Sequence, residues 1–251
     1  MGVRYSRRFK TLFRKKQVMI NSENKYTIMQ KTSYDLFASN WSPETPDPVV
    51  GTFHAHNKWD DYEHLFTKID NQSEKIGIDF ACGPGRNIVR YKGRFKRLDG
   101  VDISSVNIEK AWKYTADNDI TDLLLYVNNG IDLDIIDSNV YDFVMSTIAL
   151  QHICVHEIRK NIFKDIHRIL KDGGIFTAQM GFGSPSPQTV GYYENHYDAT
   201  ETNRGCDVCI ESADQLEKDL IELGFKNFNY TITTTGPGDL HPSWIFFNVE
   251  K

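Results

Sequence analysis

The sequence predicts an α/β fold: a doubly wound, seven-stranded, mostly parallel sheet with a C-terminal antiparallel hairpin and helices on both faces. From about residue 75 onward, short apolar runs alternate with amphipathic stretches, which is typical of a parallel sheet covered by helices. The apolar run Ile76–Phe80 leads directly into a glycine-rich turn. The chain closes with apolar runs at 225–233 and 244–249, which a loop containing Gly-Pro-Gly joins, so these two strands should form the hairpin.

The other elements are predicted from periodicity and capping residues. Four further strands are expected at 98–101, 123–127, 141–146 and 174–180. Ser104 should cap a helix with inner positions Ile108, Ala111, Trp112 and Thr115. A second helix is predicted over 157–170, where isoleucines recur on one face. A third should begin with the capping box of Ser212 and Gln215 and end at Gly224.

A chain of 251 residues is long enough for one sizeable domain with an extension. We expect residues 1–57 to form an N-terminal basic arm and lid segment, and residues 58–251 to form the main domain. The stretch at about 181–209 is rich in Gly, Pro, Ser, Tyr and Asn. It is longer than a simple connection, which predicts a functional insertion.

The first sixteen residues contain seven Lys or Arg and no acidic residue. Such a segment could be a helix that contacts a membrane surface or RNA, or an organelle transit segment. The simpler interpretation is a solvated, partly disordered arm. The sequence favours this last interpretation and leaves the others open.

Composition limits the class of protein. The net charge of −5 offers no broad basic surface, so we expect no nucleic-acid partner. No apolar run approaches the roughly 20 residues of a membrane-spanning helix, and none at the start is typical of a secretory signal. Four scattered cysteines do not make a disulfide framework in a chain of this size. A reducing compartment, most simply the cytoplasm, is therefore expected.

The segment with the most chemical information is Ile-Asp-Phe-Ala-Cys-Gly-Pro-Gly-Arg-Asn at 78–87, where a strand should pass into a helix. Glycine is needed there because a Cβ would block both the tight turn and the close approach of a nucleotide. Asp102 follows seventeen positions after Gly85, at the end of the second predicted strand. A carboxylate at that place can accept hydrogen bonds from both ribose hydroxyls.

An NAD(P)-dependent oxidoreductase uses the same geometry and is the first alternative. Its G-x-G-x-x-G fingerprint requires glycine or alanine at position 88, where this chain has Ile88. The sheet is also expected to end in an antiparallel hairpin and not in a second nucleotide-binding half. Both observations disfavour this alternative.

Taken together, these motifs resemble those of class I S-adenosylmethionine-dependent methyltransferases, the Rossmann-like methyltransferase superfamily, over residues 58–251. The matching segments are 79–87, 101–104, 142–146 and 170–174. One departure is Ala81, where the family usually has glycine. Since alanine rarely adopts left-handed backbone conformations, we expect the backbone at Ala81 to avoid them.

The resemblance implies S-adenosylmethionine as cofactor and methyl donor. It places Gly83 and Gly85 against the methionine part, Asp102 at the ribose, Ile103 on the adenine and Asn129 at the adenine amino group. The residues expected to bind the donor are Asp79, Ala81, Gly83, Gly85, Asn87, Asp102, Ile103, Asn129, Gly130, Ser146 and Gln151.

The acceptor is predicted less sharply. A small or medium-sized polar molecule or a peptide, methylated at oxygen or nitrogen, is expected, and His152 is the candidate base, with packing or helix capping as its alternative role. Residues expected to contact the acceptor are Trp59, Tyr193, His196 and His241. No metal is expected, because Cys206 and Cys209 form a single C-x-x-C without a second pair. A catalytically inactive methyltransferase-like binding subunit remains a second alternative, and the oligomeric state stays open.

Overall fold

A computed structural model of the chain describes residues 21–40, 62–198, 207–236 and 239–251. The basic arm, Trp59, Cys206 and the centre of the predicted hairpin loop lie outside these residues. No helix in the described ranges is long and apolar enough to span a bilayer.

The main sheet has seven strands, and the predicted fold class is confirmed. Its strands are β1 (Ile76–Phe80), β2 (Arg97–Asp102), β3 (Leu125–Val127), β4 (Tyr141–Ser146), β5 (Leu170–Phe182), β8 (Lys226–Thr234) and β9 (Ser243–Glu250). Their order is β3-β2-β1-β4-β5-β9-β8. All pairs from β3 to β5 are parallel, whereas β9 runs antiparallel to both β5 and β8. Two short strands of the insertion, β6 (Thr189–Gly191) and β7 (Asp207–Cys209), form a separate parallel pair.

Helices cover both faces of the sheet. They are α1 (Asn21–Asn40), α2 (Glu63–Phe66), α3 (Arg86–Arg90), α4 (Ser105–Asp117), α5 (His156–Ile169) and α6 (Ala213–Glu222). One apolar core contains buried side chains of α5 and α6, and a second contains those of α2, α3 and α4. Each helix layer covers one face of the sheet with apolar side chains, as expected for parallel strands.

Local capping follows the sequence closely. The Ser104 side chain accepts a hydrogen bond from the Asn107 backbone amide, and the capping box of Ser212 and Gln215 is present. One predicted inner position is wrong, because Trp112 is 46% exposed. It lies about 100° around the helix from Ala111, beyond the buried stripe.

The strand order reverses direction at β1. β2 lies on one side of β1 and β4 on the other, so the connections leaving their carboxyl ends diverge. In open α/β sheets, ligands bind in the crevice that forms at such a point. The long helix α1 packs against α4 beside this crevice.

Candidate active site

A cleft lies at the carboxyl ends of β1, β2 and β4, with α1 as one wall. Its empty volume is about 850 Å³, including the part that is open to solvent. The predicted site residues that line it are Ala81, Gly83, Asp102, Ile103, Gly130 and His152.

The turn after β1 forms the floor of the cleft. Ala81, Gly83 and Gly85 all have positive φ, at 58°, 53° and 88°. The expectation that Ala81 avoids left-handed backbone is therefore wrong. Hydrogen bonds close to this residue fix the turn, since the Cys82 amide donates to Val101 O at 3.1 Å and the Gly85 amide to Cys82 O at 3.1 Å. Holding alanine there costs roughly 1–2 kcal/mol.

Asp102 connects the end of β2 to this turn. Its Oδ2 accepts from the Gly83 amide at 2.9 Å and its Oδ1 from the Ser104 amide at 2.8 Å. Burial raises the pKa of Asp102, and these hydrogen bonds oppose the rise. Beside it, a Cβ on Gly130 would lie only 2.5 Å from Ile103 Cδ1, so glycine at 130 lets Ile103 pack against the backbone.

Asp79 lies at the end of β1 and is fully buried. Burial raises its pKa to about 7, although a hydrogen bond from Asn87 opposes this. Asn87 Nδ2 lies 3.3 Å from Asp79 Oδ2 and 2.9 Å from Thr147 Oγ1. Asp79 Oδ1 and Asn87 Oδ1 have no hydrogen-bond partner among the described residues. Such buried, unpaired oxygens are costly and indicate that a ligand completes the site.

After β3, the structure places Asn128, and not the predicted Asn129, on the cleft. Asn129 is exposed, and its Oδ1 accepts from the backbone amides of Ile131 at 2.8 Å and Asp132 at 2.9 Å, so it stabilises its own turn. Asn128 is buried, and its Oδ1 has no partner in the described part of the chain. A shift of one position exchanges the side chain that faces inward for the one that faces solvent.

The segment after β4 forms another wall. Ile148 has a positive φ of 51°, which is unusual for a β-branched residue and typical of strained segments at functional sites. A single 3₁₀ turn, Leu150–His152, follows and brings His152 to the cleft. Gln151 is buried behind it, and Ser146 Oγ donates to Phe80 O at 3.1 Å, so Ser146 and Gln151 support the cleft without lining it.

His152 is joined to two residues from distant parts of the chain. Its Nδ1 lies 2.6 Å from Asp207 Oδ1, and Asp207 Oδ2 lies 3.0 Å from His241 Nε2. Burial lowers the pKa of His152, but the charge and hydrogen bond of Asp207 outweigh it and the net shift is upward. Burial alone would raise the pKa of Asp207, and the two imidazoles instead lower it well below its usual range. Asp207 was not predicted from the sequence.

Helix α1 presents Tyr26, Gln30 and Tyr34 to the cleft, four residues apart on one face. Gln30 Nε2 donates to the backbone oxygen of His152 at 3.1 Å, and the Cys154 amide donates to the Tyr26 hydroxyl at 2.9 Å. Burial raises the pKa of both tyrosines, so their hydroxyls stay protonated at neutral pH. No motif or spacing in the sequence pointed to these three residues.

A second set of contacts attaches α1 to the start of α4. Ser104 Oγ donates to Asp35 Oδ1 at 2.6 Å, and Lys31 Nζ lies 2.7 Å from Asp35 Oδ2 and 3.2 Å from Ser105 Oγ. Because Ser104 directly follows Ile103, which lines the cleft, these bonds hold the helix at the mouth of the cleft.

The predicted acceptor residues separate into two groups. The Tyr193 hydroxyl donates to Gln215 O at 3.2 Å on the α6 side, and His196 Nε2 pairs with exposed Glu194 at 2.8 Å. Neither Tyr193 nor His196 lines the cleft. His241 is only 1% exposed and reaches the cleft through Asp207.

Solved structures with the same architecture are numerous. The chain is similar to phosphoethanolamine N-methyltransferase 2 of Haemonchus contortus, which was solved with phosphomonomethylethanolamine and S-adenosylhomocysteine, at 16% identity and a TM-score of 0.62. That match covers 93% of this chain and 61% of the other. An S-adenosylmethionine-dependent methyltransferase from Mesorhizobium loti has 16% identity and a TM-score of 0.56, with 74% and 95% covered. The [4+2]-cyclase SpnF has 11% identity and a TM-score of 0.60, with 91% and 93% covered.

At these identities the similarity defines a fold, that of the class I methyltransferases. In sequence, residues 78–178 match the methyltransferase domain family model. No curated protein matches the chain in sequence. The resemblance to class I methyltransferases is thus confirmed by the family model over residues 78–178 and by the fold.

Proposed function

We propose that the protein is an S-adenosylmethionine-dependent methyltransferase that acts on a small or medium-sized polar acceptor, at oxygen or nitrogen. The observation that carries this proposal is the cleft at the carboxyl ends of β1 and β2. There a glycine-rich turn, an acidic residue and buried unpaired oxygens occur together. The family match over residues 78–178 supports the same reaction.

The residues at the cleft fit the donor's chemical groups. Asp79 does not line the cleft itself but lies next to Phe80 and Ala81, which do. Its buried Oδ1, without a partner among the described residues, suits the donor's ammonium group. Asp102 accepts from the Gly83 and Ser104 amides and from Asn107 Nδ2 at 3.3 Å. Since a carboxylate has about four acceptor positions, roughly one, on Oδ2, remains for a ribose hydroxyl. Ile103 and Asn128 would hold the adenine ring and its amino group.

The bound donor supplies an electrophilic methyl group on a positively charged sulfur. The protein's contribution is then to hold the acceptor in line with that methyl and to exclude water, since orientation alone can supply roughly 7–11 kcal/mol of the barrier in favourable cases. The walls from α1 and the segment after β4 provide this enclosure. His152, which lines the cleft, is the residue proposed to accept a proton from the acceptor.

The remaining parts of the proposal rest on sequence. We propose that residues 1–57 form an arm and lid segment of a domain spanning 58–251, and that the enzyme acts in the cytoplasm. The scattered positions of the four cysteines suit a reducing compartment. Trp59 and the basic arm remain candidates for acceptor contact and lid function.

A second candidate function is a protein of this fold that does not transfer methyl groups. The similarity to a [4+2]-cyclase over 91% of this chain favours keeping it, because that protein's name describes a different reaction. The two candidates differ in one measurable quantity, the formation of S-adenosylhomocysteine.

The test is binding followed by turnover. S-adenosylmethionine and S-adenosylhomocysteine should each raise the melting temperature, as any ligand of the native state does. Incubation with a panel of phenols, alcohols, carboxylic acids and amines should then release S-adenosylhomocysteine with at least one class. Stabilisation by NADH and not by S-adenosylmethionine would instead support the oxidoreductase, and donor binding without turnover would support the second candidate.

A further inference from the structure

We infer that Asp207 and His241 are positioning residues that hold His152 in the tautomer whose Nε2 takes a proton from the methyl acceptor. It follows that the acceptor oxygen or nitrogen bears a proton before methylation, as in a phenol, an alcohol or a protonated amine. This inference rests on the proposed function and names the class of acceptor for the same cleft.

The hydrogen bonds around Asp207 have a defined direction. An ionised carboxylate can only accept, so the ring nitrogens that face Asp207 must both carry hydrogen. His152 Nδ1–H therefore donates to Oδ1 at 2.6 Å, and His241 Nε2–H donates to Oδ2 at 3.0 Å. The second nitrogen of His152, Nε2, is left with its lone pair.

The surroundings of that lone pair leave it accessible from the cleft. The His152 side chain is 19% exposed and lines the cleft, whereas Asp207 is 7% exposed behind it. The amide nitrogen of Gln151, itself a donor, lies 3.5 Å from Nε2, at the outer limit of a hydrogen bond. Nε2 is thus the basic atom of the group that an acceptor in the cleft can reach.

The Asp207 carboxylate is held rigidly by its other partner. The His241 ring lies on Gly181, where an added Cβ would approach it to 2.2 Å, and its centroid is 4.9 Å from the Trp244 ring. Because His241 is enclosed in this way, it fixes one oxygen of Asp207 and leaves the other directed at His152. Asp207 itself begins β7, whose pairing with β6 holds it in the insertion.

The charge balance around His152 favours its protonation. Tyr26 and Tyr34 of α1 face the same region, and burial raises the pKa of both, so they carry no charge at neutral pH. Asp207 is ionised and offsets the positive charge that His152 gains on protonation. A base in this environment is strengthened, which suits the removal of a proton from a weakly acidic acceptor.

The reaction balances with these groups. The bond from sulfur to methyl breaks as the bond from the acceptor atom to methyl forms, and the electron pair of the broken bond stays on sulfur. The acceptor's proton moves to Nε2 of His152 and is later released to water. One positive charge leaves the donor and one appears on the imidazole, with no oxidant or reductant.

The experiment compares two substitutions of the same type in full-length protein labelled with ¹⁵N-histidine. Asp207→Asn removes the charge beside His152, and Asp219→Asn removes the charge beside His156. The His156–Asp219 pair has the same 2.6 Å distance between ring nitrogen and carboxylate oxygen, but neither residue lines the cleft. Both variants are first shown to retain S-adenosylhomocysteine binding, which tests the proposed function separately.

In wild-type protein the ring nitrogens of His152 should show the Nδ1–H tautomer, with a pKa above the ordinary value. Asp207→Asn should lower that pKa by at least one unit and mix the tautomers, because only the hydrogen bond to the Ile148 backbone then opposes burial. His241→Gln keeps an N–H donor for Asp207 and should change that pKa by less, and Asp219→Asn should leave it unchanged. An Nε2–H tautomer in wild type, or no response to Asp207→Asn, would overturn the inference.

Kinetic measurements use acceptors from the same panel, each paired with an analogue lacking the proton, such as a tertiary amine or a thioether. Turnover of the proton-bearing members should fall about a hundredfold or more in Asp207→Asn and follow the titration of His152 with pH. If the wild-type protein methylates the proton-free analogues as fast as their proton-bearing partners, or faster, the assignment is overturned even with the donor site intact. The same holds if Asp207→Asn keeps the wild-type pH profile.

Discussion

Two of the histidine–aspartate pairs in the described part of this molecule have histidines only four positions apart in the chain. His152 pairs with Asp207 and His156 with Asp219, each at 2.6 Å. The first uses Nδ1 and leaves Nε2 at the cleft, whereas the second uses Nε2. Asp219 also accepts from the Tyr192 hydroxyl at 2.9 Å.

The partners of the two carboxylates explain the difference. Asp219 lies 3.5 Å from Lys160 Nζ and joins α5, α6 and the insertion, so it stabilises the packing of three segments. Asp207 has two imidazoles and, behind His152, an open cleft. Length and burial of a pair therefore do not distinguish a catalytic from a structural role. The two pairs differ instead in position, because the His152 side chain lines the cleft and the His156 side chain does not.

The largest expected effect separates these two pairs directly. His152→Ala should lower kcat by about 10²–10⁴, the usual contribution of a general base, while S-adenosylhomocysteine affinity changes by less than about twofold. His156→Ala, the matched control, should keep kcat within about threefold and lower the melting temperature instead. Initial rates and calorimetric titration check both. Equal kcat losses in the two variants would remove the distinction.

A second contrast uses two acids of β2. Asp102→Asn should weaken donor binding by about 1.5–3 kcal/mol, because it removes charged acceptors from the ribose position. Asp99 is equally buried but accepts from the Leu124 amide at 2.8 Å and the Tyr141 hydroxyl at 2.9 Å. Asp99→Asn should therefore lower stability while donor affinity, measured by calorimetry on the folded fraction, stays within about twofold. If Asp99→Asn weakened donor binding and Asp102→Asn did not, the placement of the ribose at Asp102 would be wrong.

A third contrast concerns pH. The pKa of Asp79 is raised to about 7, so this carboxyl is protonated in acid and must ionise to hold the donor's ammonium group. Donor affinity should then fall about tenfold for each pH unit below 7, roughly thirtyfold at pH 5.5, and level off above 7.

Asp79→Asn serves as the control for this pH dependence. It should bind S-adenosylhomocysteine weakly with a flat profile between about pH 5.5 and 8. A wild-type affinity that is constant over this range would show that Asp79 does not contact the ammonium group. Calorimetry in buffers of different ionisation enthalpy would also count the protons released.

The smallest effect tests backbone strain. Ala81→Gly should raise the free energy of unfolding by about 0.5–1 kcal/mol, because the relief of the left-handed conformation exceeds the entropy that glycine loses on folding. Gly173 is the remote counterpart, with a φ of 75° and no atom within 4 Å of the place where a Cβ would stand. Gly173→Ala should lower stability by about the same amount. Denaturant unfolding of both variants provides the check.

The sheet and the glycine-rich turn at the floor of the cleft were predictable because their signals are local. The run into the glycine-rich turn, Asp102 at the end of the next strand and Ser212 as a helix cap all lie within short segments with strict steric requirements. The fold class followed from the order of these segments and is confirmed. At Ala81 the turn's hydrogen bonds overrode the residue's own backbone preference.

What could not be predicted is non-local. Asp207 meets His152 across 55 positions, through the pairing of an insertion that has no sequence signature. Helix α1 was missed because its face toward the cleft is made of Tyr26, Gln30 and Tyr34, which do not form an apolar stripe. Asn128 lies at the cleft where Asn129 was predicted, an error of one position. Sequence periodicity does not fix which side chain faces inward at the end of a short strand.

The donor should bind beside the first histidine–aspartate pair and away from the second. Titration of S-adenosylhomocysteine into ¹⁵N-histidine-labelled protein measures this without any knowledge of the acceptor. The ring resonances of His152 should shift saturably, with the same dissociation constant as calorimetry gives, while those of His156 stay in place. A saturable shift at His156 with none at His152, or no shift at either during binding, would contradict this placement of the donor.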